Sequence, residues 1–123
     1  MSYKKEYYPS PLKYEGEFNK DGKYHGKGKE YDKDGELIYE GEFKDGKYDG
    51  YGKLYDLNTY EGEFKNGVPH GEGKRYHVDG ELMHEGEFKN DYLDGYGKEY
   101  DEDGELICEG EWKDGVFQNK QVK

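Results

Sequence analysis

The chain has 123 residues, enough for one small domain. Leu, Ile, Val and Phe together supply only 18 of them, alanine is absent, and the net charge is −11 at pH 7. This composition argues against a helical or two-layer globule, because too few aliphatic side chains are present to fill its core, and the negative charge disfavours direct nucleic-acid binding. Low aliphatic content with high charge is typical of disorder, but the 15 tyrosines and 20 glycines recur at regular positions.

The chain opens with a predicted strand, Ser2–Tyr7, because residues 5–7 match residues 98–100 later in the sequence. A loop with two prolines follows, and proline is incompatible with a helix interior. We expect residues 1–13 to form an N-terminal cap, since an array of strands needs its terminal edge protected.

A repeated unit makes up the body of the chain. Its first copy, residues 14–18, returns at 39–43, 60–64, 84–88 and 108–112, so successive copies start 25, 21, 24 and 24 residues apart. We expect four repeats in residues 14–107 (14–38, 39–59, 60–83 and 84–107), then a half repeat and C-terminal cap in 108–123 with a strand from Val116 to Val122. The structural anchors of the repeats are Tyr14, Gly16, Phe18, Gly26, Gly28, Tyr39, Gly41, Phe43, Gly50, Gly52, Tyr60, Gly62, Phe64, Gly71, Gly73, Gly86, Phe88, Gly95, Gly97, Gly110 and Trp112.

The glycine spacing predicts strands, because each glycine inside a helix costs about 1 kcal/mol relative to alanine. Pairs typical of tight hairpin turns separate the strands: Asp34-Gly35, Asp45-Gly46, Asn66-Gly67, Asp79-Gly80, Asp103-Gly104 and Asp114-Gly115. Asn90-Asp91 takes the same place in the fourth repeat. The predicted fold is all-β: an elongated, twisted, single-layer antiparallel meander of about ten strands, without helices.

The turns also predict the register of the strands. Two-residue turns at 34–35, 79–80 and 103–104 place lysines opposite glutamates, and they pair Tyr31 with Ile38, Tyr76 with Met83 and Tyr100 with Ile107. A two-residue turn at 45–46 places Phe43 opposite Tyr48, Gly41 opposite Gly50 and Tyr39 opposite Gly52. Loops at 20–22 and 56–58, the second with Asn58 left-handed, place Tyr14 opposite Gly28 and Gly52 opposite Gly62.

Period-two alternation assigns side chains to two faces. One face is expected to carry Leu37, Tyr39, Phe43 and Tyr48. The aromatic rings are expected to fold over bare glycine backbone, so that a single sheet builds a thin core. The other face is expected to carry cross-strand pairs such as Lys29–Glu40. It also carries the tyrosines for which we expect partner binding: Tyr31, Tyr51, Tyr55, Tyr76, Tyr96 and Tyr100.

The anchors resemble those of the MORN (membrane occupation and recognition nexus) family, whose motif is approximately Y-x-G-E-[FW]-x-x-G-x-x-x-G-x-G. Residues 39–52 match it at every anchor, whereas His84 and Cys108 replace the leading tyrosine and Asp91 replaces a turn glycine. The resemblance covers approximately residues 12–117. It implies an elongated single-layer sheet of hairpins that serves as an interaction or dimerisation surface.

Other motifs are better explained by structure than by catalysis or ligand binding. Residues 32–36 and 101–105 lack the distal glutamate of a calcium loop, and Gly26-Lys27-Gly28-Lys29 lacks the spacing of a phosphate-binding loop. His25 and His70 are repeat variation, His77 and His84 are expected at offset positions, and Cys108 has no adjacent base in the sequence pattern. We therefore expect no catalytic residues, metal site or cofactor.

Two functional hypotheses remain. The first is a non-catalytic protein–protein interaction or assembly module that binds through a sheet face or an end strand, with a homodimer through end strands as one form. The second is an acidic inhibitor or immunity-type protein that blocks a basic site, such as a nucleic-acid-binding one, on an enzyme or toxin. Membrane lipid is a disfavoured partner because anionic surfaces repel the chain. Without a signal or spanning segment in the sequence, and with one cysteine, a cytoplasmic location is expected.

Overall fold

The computed structural model describes residues 2–9 and 12–118, which form one eleven-stranded antiparallel sheet. The strands follow one another in sequence order, so the predicted all-β meander is confirmed. They are β1 (Ser2–Tyr7), β2 (Leu12–Phe18), β3 (Tyr24–Tyr31), β4 (Leu37–Lys44), β5 (Lys47–Leu54), β6 (Tyr60–Lys65), β7 (Val68–Tyr76), β8 (Leu82–Lys89), β9 (Tyr92–Tyr100), β10 (Leu106–Lys113) and β11 (Val116–Phe117). Residues 119–122 of the predicted last strand lie outside the described residues. In the described part, no helix is long and apolar enough to cross a membrane.

One face of the sheet, here called the aromatic face, carries the whole buried core. Its buried residues are Tyr14, Phe18, Tyr39, Phe43, Tyr60, Phe64, Phe88, Leu93 and Trp112. Three of the tyrosines lie flat over glycines of the neighbouring strand, Tyr14 over Gly28, Tyr39 over Gly52 and Tyr60 over Gly73. Each phenol donates a hydrogen bond to the backbone oxygen three residues later, at 2.8–2.9 Å. The prediction that rings pack on bare backbone is thereby confirmed.

A row of glycines crosses the sheet, one on each strand from β2 to β10. Each glycine of the row lies directly opposite the next one on the neighbouring strand. In order they are Gly16, Gly28, Gly41, Gly52, Gly62, Gly73, Gly86, Gly97 and Gly110. The predicted pairs Gly41–Gly50, Tyr39–Gly52 and Tyr14–Gly28 are therefore wrong: Gly41 faces Gly52, Tyr39 faces Leu54 and Tyr14 faces Glu30. The tyrosines reach their glycines across the diagonal between strands.

The cause of this register is a bulge at the first glycine of each Gly-x-Gly. The 45–46 turn pairs Phe43 with Tyr48 as predicted, but between Phe43 and Gly41 strand β5 contains two residues more than β4. Gly50 adopts φ +101°, the left-handed region that favours glycine and commonly marks a bulge. The side chain of Glu42 folds over Gly50, as the corresponding glutamates do in the other repeats.

The longer loops contain a second irregularity. Asp32 pairs with Glu36 and Gly35 donates to the Asp32 carbonyl oxygen at 3.0 Å, so this is a three-residue loop ending in a left-handed glycine. The loop shifts the pairing by one residue, and a bulge at Ile38 shifts it back, so Lys29 faces Glu40 as predicted. The outer pairs differ from the prediction: Tyr31 faces Leu37, Tyr76 faces Leu82 and Tyr100 faces Leu106.

Two smaller predictions are also wrong for local reasons. Leu37 was expected on the aromatic face, beside Tyr39. It lies opposite Tyr31, and directly opposed residues project to the same side of a sheet, so Leu37 shares the side of Tyr31. It is not among the described side chains that pack on the core. Asn58 was expected in the left-handed conformation, but it is not among the described residues with positive φ. Gly52 nevertheless faces Gly62 as predicted. A wider 55–59 loop gives the same register without a left-handed asparagine.

The aromatic face changes composition toward β10. In the first two repeats a second tyrosine stacks on the first, Tyr24 on Tyr14 at 3.7 Å and Tyr48 on Tyr39 at 3.9 Å between ring centroids. In the third repeat Pro69 takes the position of the second tyrosine, opposite Phe64, and the Arg75 guanidinium lies 5.4 Å from the ring centroids of Tyr60 and Phe88. In the fourth repeat His84 replaces the leading tyrosine, and Leu93 and Trp112 lie over Gly97 where the other repeats have a tyrosine ring.

Candidate interaction surface

The face opposite the core, here called the charged face, carries a continuous row of alternating lysines and glutamates. We call this row the Lys–Glu ladder. In order across the strands it consists of Lys5, Glu15, Lys29, Glu40, Lys53, Glu61, Lys74, Glu85, Lys98 and Glu109. Lys29 Nζ lies 4.0 Å from Glu40 Oε2, with both side chains about half exposed. Such exposed pairs contribute little stability, about 0–1 kcal/mol each, so the ladder chiefly fixes register and presents a mixed-charge surface.

Five of the six tyrosines predicted to bind a partner have side-chain contacts on the charged face. Tyr51 and Tyr76 donate to the two oxygens of Glu61, at 3.2 and 3.5 Å. Tyr100 donates to Glu85 at 3.4 Å and Tyr96 to Glu109, and Lys53 Nζ lies 5.1 Å from the ring centroid of Tyr55. Tyr31 lies at the edge of this face, half-buried opposite Leu37.

The hydrogen bonds of these tyrosines to the Lys–Glu ladder fall into two groups. Tyr51 and Tyr76 share Glu61 near the middle of the sheet, whereas Tyr96 and Tyr100 lie around the glutamates of β8 and β10. Tyr51 and Tyr96 are the open ones, with 55% and 44% of their surface exposed. Burial, and then the nearby charge of Glu61, raises the pKa of Tyr51 and of Tyr76. Both phenols therefore remain protonated donors at neutral pH.

A shallow hollow lies between Tyr51 and a tyrosine that the sequence interpretation missed. Tyr3 is 62% exposed, donates to Glu15, and lines the hollow together with Lys29 and Lys53. The floor is the glycine row, which leaves backbone uncovered. The sequence did indicate this role for Tyr3: the match of residues 5–7 with residues 98–100 aligns Tyr3 with Tyr96, one of the tyrosines predicted to bind a partner.

Glu99 lies between two other polar residues of the aromatic face, Cys108 and His84. Cys108 Sγ lies 3.6 Å from Glu99 Oε1, and burial together with that carboxylate raises the pKa of the thiol. A thiol with a raised pKa is a poor nucleophile. On the other side of Glu99, His84 Nε2 lies 3.6 Å from Oε2, and burial lowers the pKa of the imidazole. Within residues 2–9 and 12–118 no group of three or more His, Cys, Asp or Glu side chains is placed to hold a metal ion.

One of the histidines expected at repeat positions, His25, supports a turn. His25 Nδ1 accepts a hydrogen bond from the backbone N–H of Asp45 at 3.2 Å. Asp49 and Asp94, at the same repeat position, accept from Asn66 and Asp114 at 3.2 and 3.0 Å. Each of these side chains therefore supports the first residue of the next left-handed turn.

The net charge is concentrated at one end of the strands. The loops 32–36, 55–59, 77–81 and 101–105, here called the acidic rim, carry ten carboxylates and one lysine. The turns at the opposite end, 19–23, 44–47, 65–68, 89–92 and 113–116, carry seven lysines and four aspartates. The acidic rim thus accounts for −9 of the net −11, which composition alone does not reveal.

Comparison with protein families agrees with this architecture. The MORN repeat model matches residues 39–56, 60–81, 84–105 and 108–120, and a MORN repeat variant model matches residues 24–45. A search of the curated proteins found no significant match. With the eleven-stranded meander and its glycine row, these matches over more than half of the chain show that it belongs to the MORN repeat family.

Proposed function

We propose that the protein is a non-catalytic protein–protein interaction module that binds a partner through the charged face. MORN repeats are commonly protein-interaction or membrane-associated modules and are generally non-catalytic. The observation that carries the proposal is the pair of exposed tyrosines, Tyr51 and Tyr96, each held by a glutamate of the Lys–Glu ladder. Tyrosine on a rigid support gives large contact area at low cost in conformational entropy, which is why it is enriched at interfaces.

The test is the double substitution Tyr51→Lys with Tyr96→Glu. Lys27 and Glu72 occupy the same repeat position, so the fold already accommodates both residues, and the net charge is unchanged. Tagged wild type and variant are incubated with native lysate, washed at low and then high salt, and the retained proteins are identified. We expect a partner that survives the high-salt wash with wild type and is lost with the variant.

The control for this experiment is Tyr92→Ser. Tyr92 is 58% exposed and lies at a turn, away from the Lys–Glu ladder, so its loss should leave capture unchanged. A partner retained equally by the ladder variant and by wild type would contradict binding through the tyrosines. If β1 instead mediates a homodimer, light scattering will show twice the monomer mass for wild type and variant alike.

A second candidate function is that of an acidic inhibitor that occupies a basic site on an enzyme or toxin. The acidic rim supports it, because a concentrated negative surface steers and binds a basic partner more strongly than the same charge spread evenly. This candidate predicts the opposite salt response: capture at low salt and loss at high salt, since screening shortens the reach of the charges. It also predicts that the variant at Tyr51 and Tyr96 still captures the partner.

A further inference from the structure

The hairpin loop 77–81 departs from the other loops of its kind. In three related loops the first residue is Asn19, Asp32 or Asp101, and its side chain accepts hydrogen bonds from two backbone N–H groups of the loop at 2.8–3.0 Å. In this loop the first residue is His77, whose Nε2 instead lies 3.0 Å from the carbonyl oxygen of Tyr100. In place of the two bonds of its counterparts, this loop has one, which the backbone N–H of Glu81 donates to Asp79 Oδ1 at 3.1 Å.

The next residue departs as well. The second position of the related loops holds Lys20, Lys33 or Glu102, all charged, whereas here it holds Val78 with 76% of its surface exposed. Loop tips ordinarily carry polar residues or glycine. An exposed valine that replaces a charged residue, in a loop whose first residue is not the usual Asn or Asp, is not explained by local stability.

A second exposed aliphatic residue lies beside Val78. Leu57, also 76% exposed, belongs to the loop 55–59. That loop is tied to the end of β7 by the bond from the Tyr76 N–H to the Thr59 oxygen at 2.8 Å and by the bond from Asn58 Nδ2 to the Tyr76 oxygen at 3.1 Å. The two adjacent loops therefore share one hollow, whose lining residues are Lys53, Tyr55, Asp56, Leu57, Thr59, Tyr76, His77, Val78 and Gly80.

The charge around this hollow is negative. Asp56 lies next to Leu57, Asp79 and Glu81 follow Val78, and the neighbouring loops of the acidic rim add seven more carboxylates. The hollow's one cation, Lys53, is directed at the ring of Tyr55. Aliphatic anchors surrounded by carboxylates complement a segment that carries lysine or arginine next to a large aliphatic side chain.

We propose that the hollow between loops 55–59 and 77–81 binds a basic segment of a partner protein and takes up one of its aliphatic side chains between Leu57 and Val78. This inference rests on the proposed role as an interaction module, but it uses the loop end of the sheet, where the hollow borders the charged face at Lys53, Tyr55 and Tyr76. The two proposals are separable, because neither Tyr51 nor Tyr96 lines this hollow.

The test uses a short labelled peptide of lysine and leucine and a control peptide of equal length and charge in which serine replaces every leucine. Fluorescence anisotropy at physiological salt measures both affinities. We expect the leucine peptide to bind at least about tenfold more tightly, the gain typical of burying one large aliphatic side chain. Val78→Thr together with Leu57→Thr, which leaves the charge unchanged, should reduce the affinity to that of the serine peptide.

Matched variants separate the hollow from general acidity. Asp79→Asn with Glu81→Gln should weaken binding of the leucine peptide severalfold more than Asp34→Asn with Glu36→Gln, which removes equal charge from a loop without an exposed aliphatic residue. Tyr51→Lys with Tyr96→Glu should leave peptide binding unchanged even if lysate capture is lost. Equal affinity for the two peptides, or equal losses in the two charge variants, would overturn the inference. Circular dichroism confirms that each variant is folded.

Discussion

The phenol ring of Tyr39 lies against the backbone of Gly52 so closely that a β-carbon at residue 52 would overlap the phenol group. Gly52 has no left-handed backbone to explain the choice of glycine, so the ring alone excludes a side chain. We expect Gly52→Ala to lower the free energy of unfolding by about 1–3 kcal/mol, the usual cost of overpacking a core. Urea denaturation monitored by tyrosine fluorescence provides the measurement.

The matched control for this prediction is Gly97→Ala. Gly97 also lacks a left-handed backbone, but a β-carbon at residue 97 would meet Cδ atoms of Leu93 and Trp112 at 3.0–3.3 Å, a contact that small side-chain shifts can relieve. Its loss of stability should be smaller than that of Gly52→Ala, partly offset by the lower entropy of the unfolded alanine chain. If the two variants lose equal stability, the overlap with Tyr39 is not the cause.

The sequence predicted the repeat, the strands and the two faces, because glycine, tyrosine and turn residues each have a local physical meaning. It predicted the register only in part. At Asp34-Gly35 the wider loop and the bulge at Ile38 cancel, so the inner pairs were correct although the turn type was not. At Asp45-Gly46 the turn was correct, but the bulge at Gly50 shifted the inner pairs.

The signal for that bulge was present in the sequence. An isolated glycine in a strand often marks a bulge, and here it is the first glycine of each Gly-x-Gly, with φ between +77° and +112°. The candidate surfaces were harder to predict, because the sharing of Glu61 by Tyr51 and Tyr76 and the pairing of Leu57 with Val78 depend on contacts between strands or loops. Whether the six tyrosines bind a partner stays a prediction.

The side-chain acceptor of the three-residue loops provides a second test of stability. Asp32 accepts from the backbone N–H groups of Asp34 and Glu36 at 2.8 and 3.0 Å. We expect Asp32→Ala to cost about 1–2 kcal/mol, since two loop donors lose their partner. His77→Ala should cost less, because the described hydrogen bond of the His77 side chain is a single one, to the carbonyl oxygen of Tyr100. Thermal unfolding of both variants measures the difference, and a larger loss for His77→Ala would contradict this account of the loops.

Alkaline pH should destabilise the fold through its buried tyrosines. Burial, and then the charge of Glu17, raises the pKa of Tyr14 from 10.0 to about 12, and burial raises the pKa of Tyr24, Tyr39, Tyr48 and Tyr60 as well. Because the pKa is raised in the folded state, the stability contributed by the neutral phenol is fully present below pH 10 and is lost as pH rises through 12.

The measurement combines absorbance of the phenolate with urea midpoints between about pH 8 and 12. We expect the unfolding midpoint to fall only above about pH 10. Tyr14→Phe should have a lower midpoint at pH 8, because the bond to the Glu17 oxygen is lost, and a shallower decline above pH 10. Parallel declines for Tyr14→Phe and wild type would exclude Tyr14 as a source of the pH dependence.

Arg75, the single arginine of the chain, should be irreplaceable by lysine. Its guanidinium lies over the rings of Tyr60 and Phe88, while its two terminal nitrogens donate to the side chain and the backbone oxygen of Asp91 at 2.7 and 3.1 Å. Only a planar guanidinium group with two terminal nitrogens can stack on the rings and donate both hydrogen bonds to Asp91. We expect Arg75→Lys to lower the free energy of unfolding by about 1–2 kcal/mol.

The control for Arg75 is Lys74→Met, which removes a cation from the adjacent, exposed position of the Lys–Glu ladder. This substitution should change stability by less than about 0.5 kcal/mol, as is usual for exposed charges. Asp91→Asn tests the same contact from the other side, and its effect should be smaller in the Arg75→Lys background than in wild type. Additive effects of the two substitutions, or a lysine variant as stable as wild type, would show that stacking and pairing at Arg75 do not hold the third repeat together.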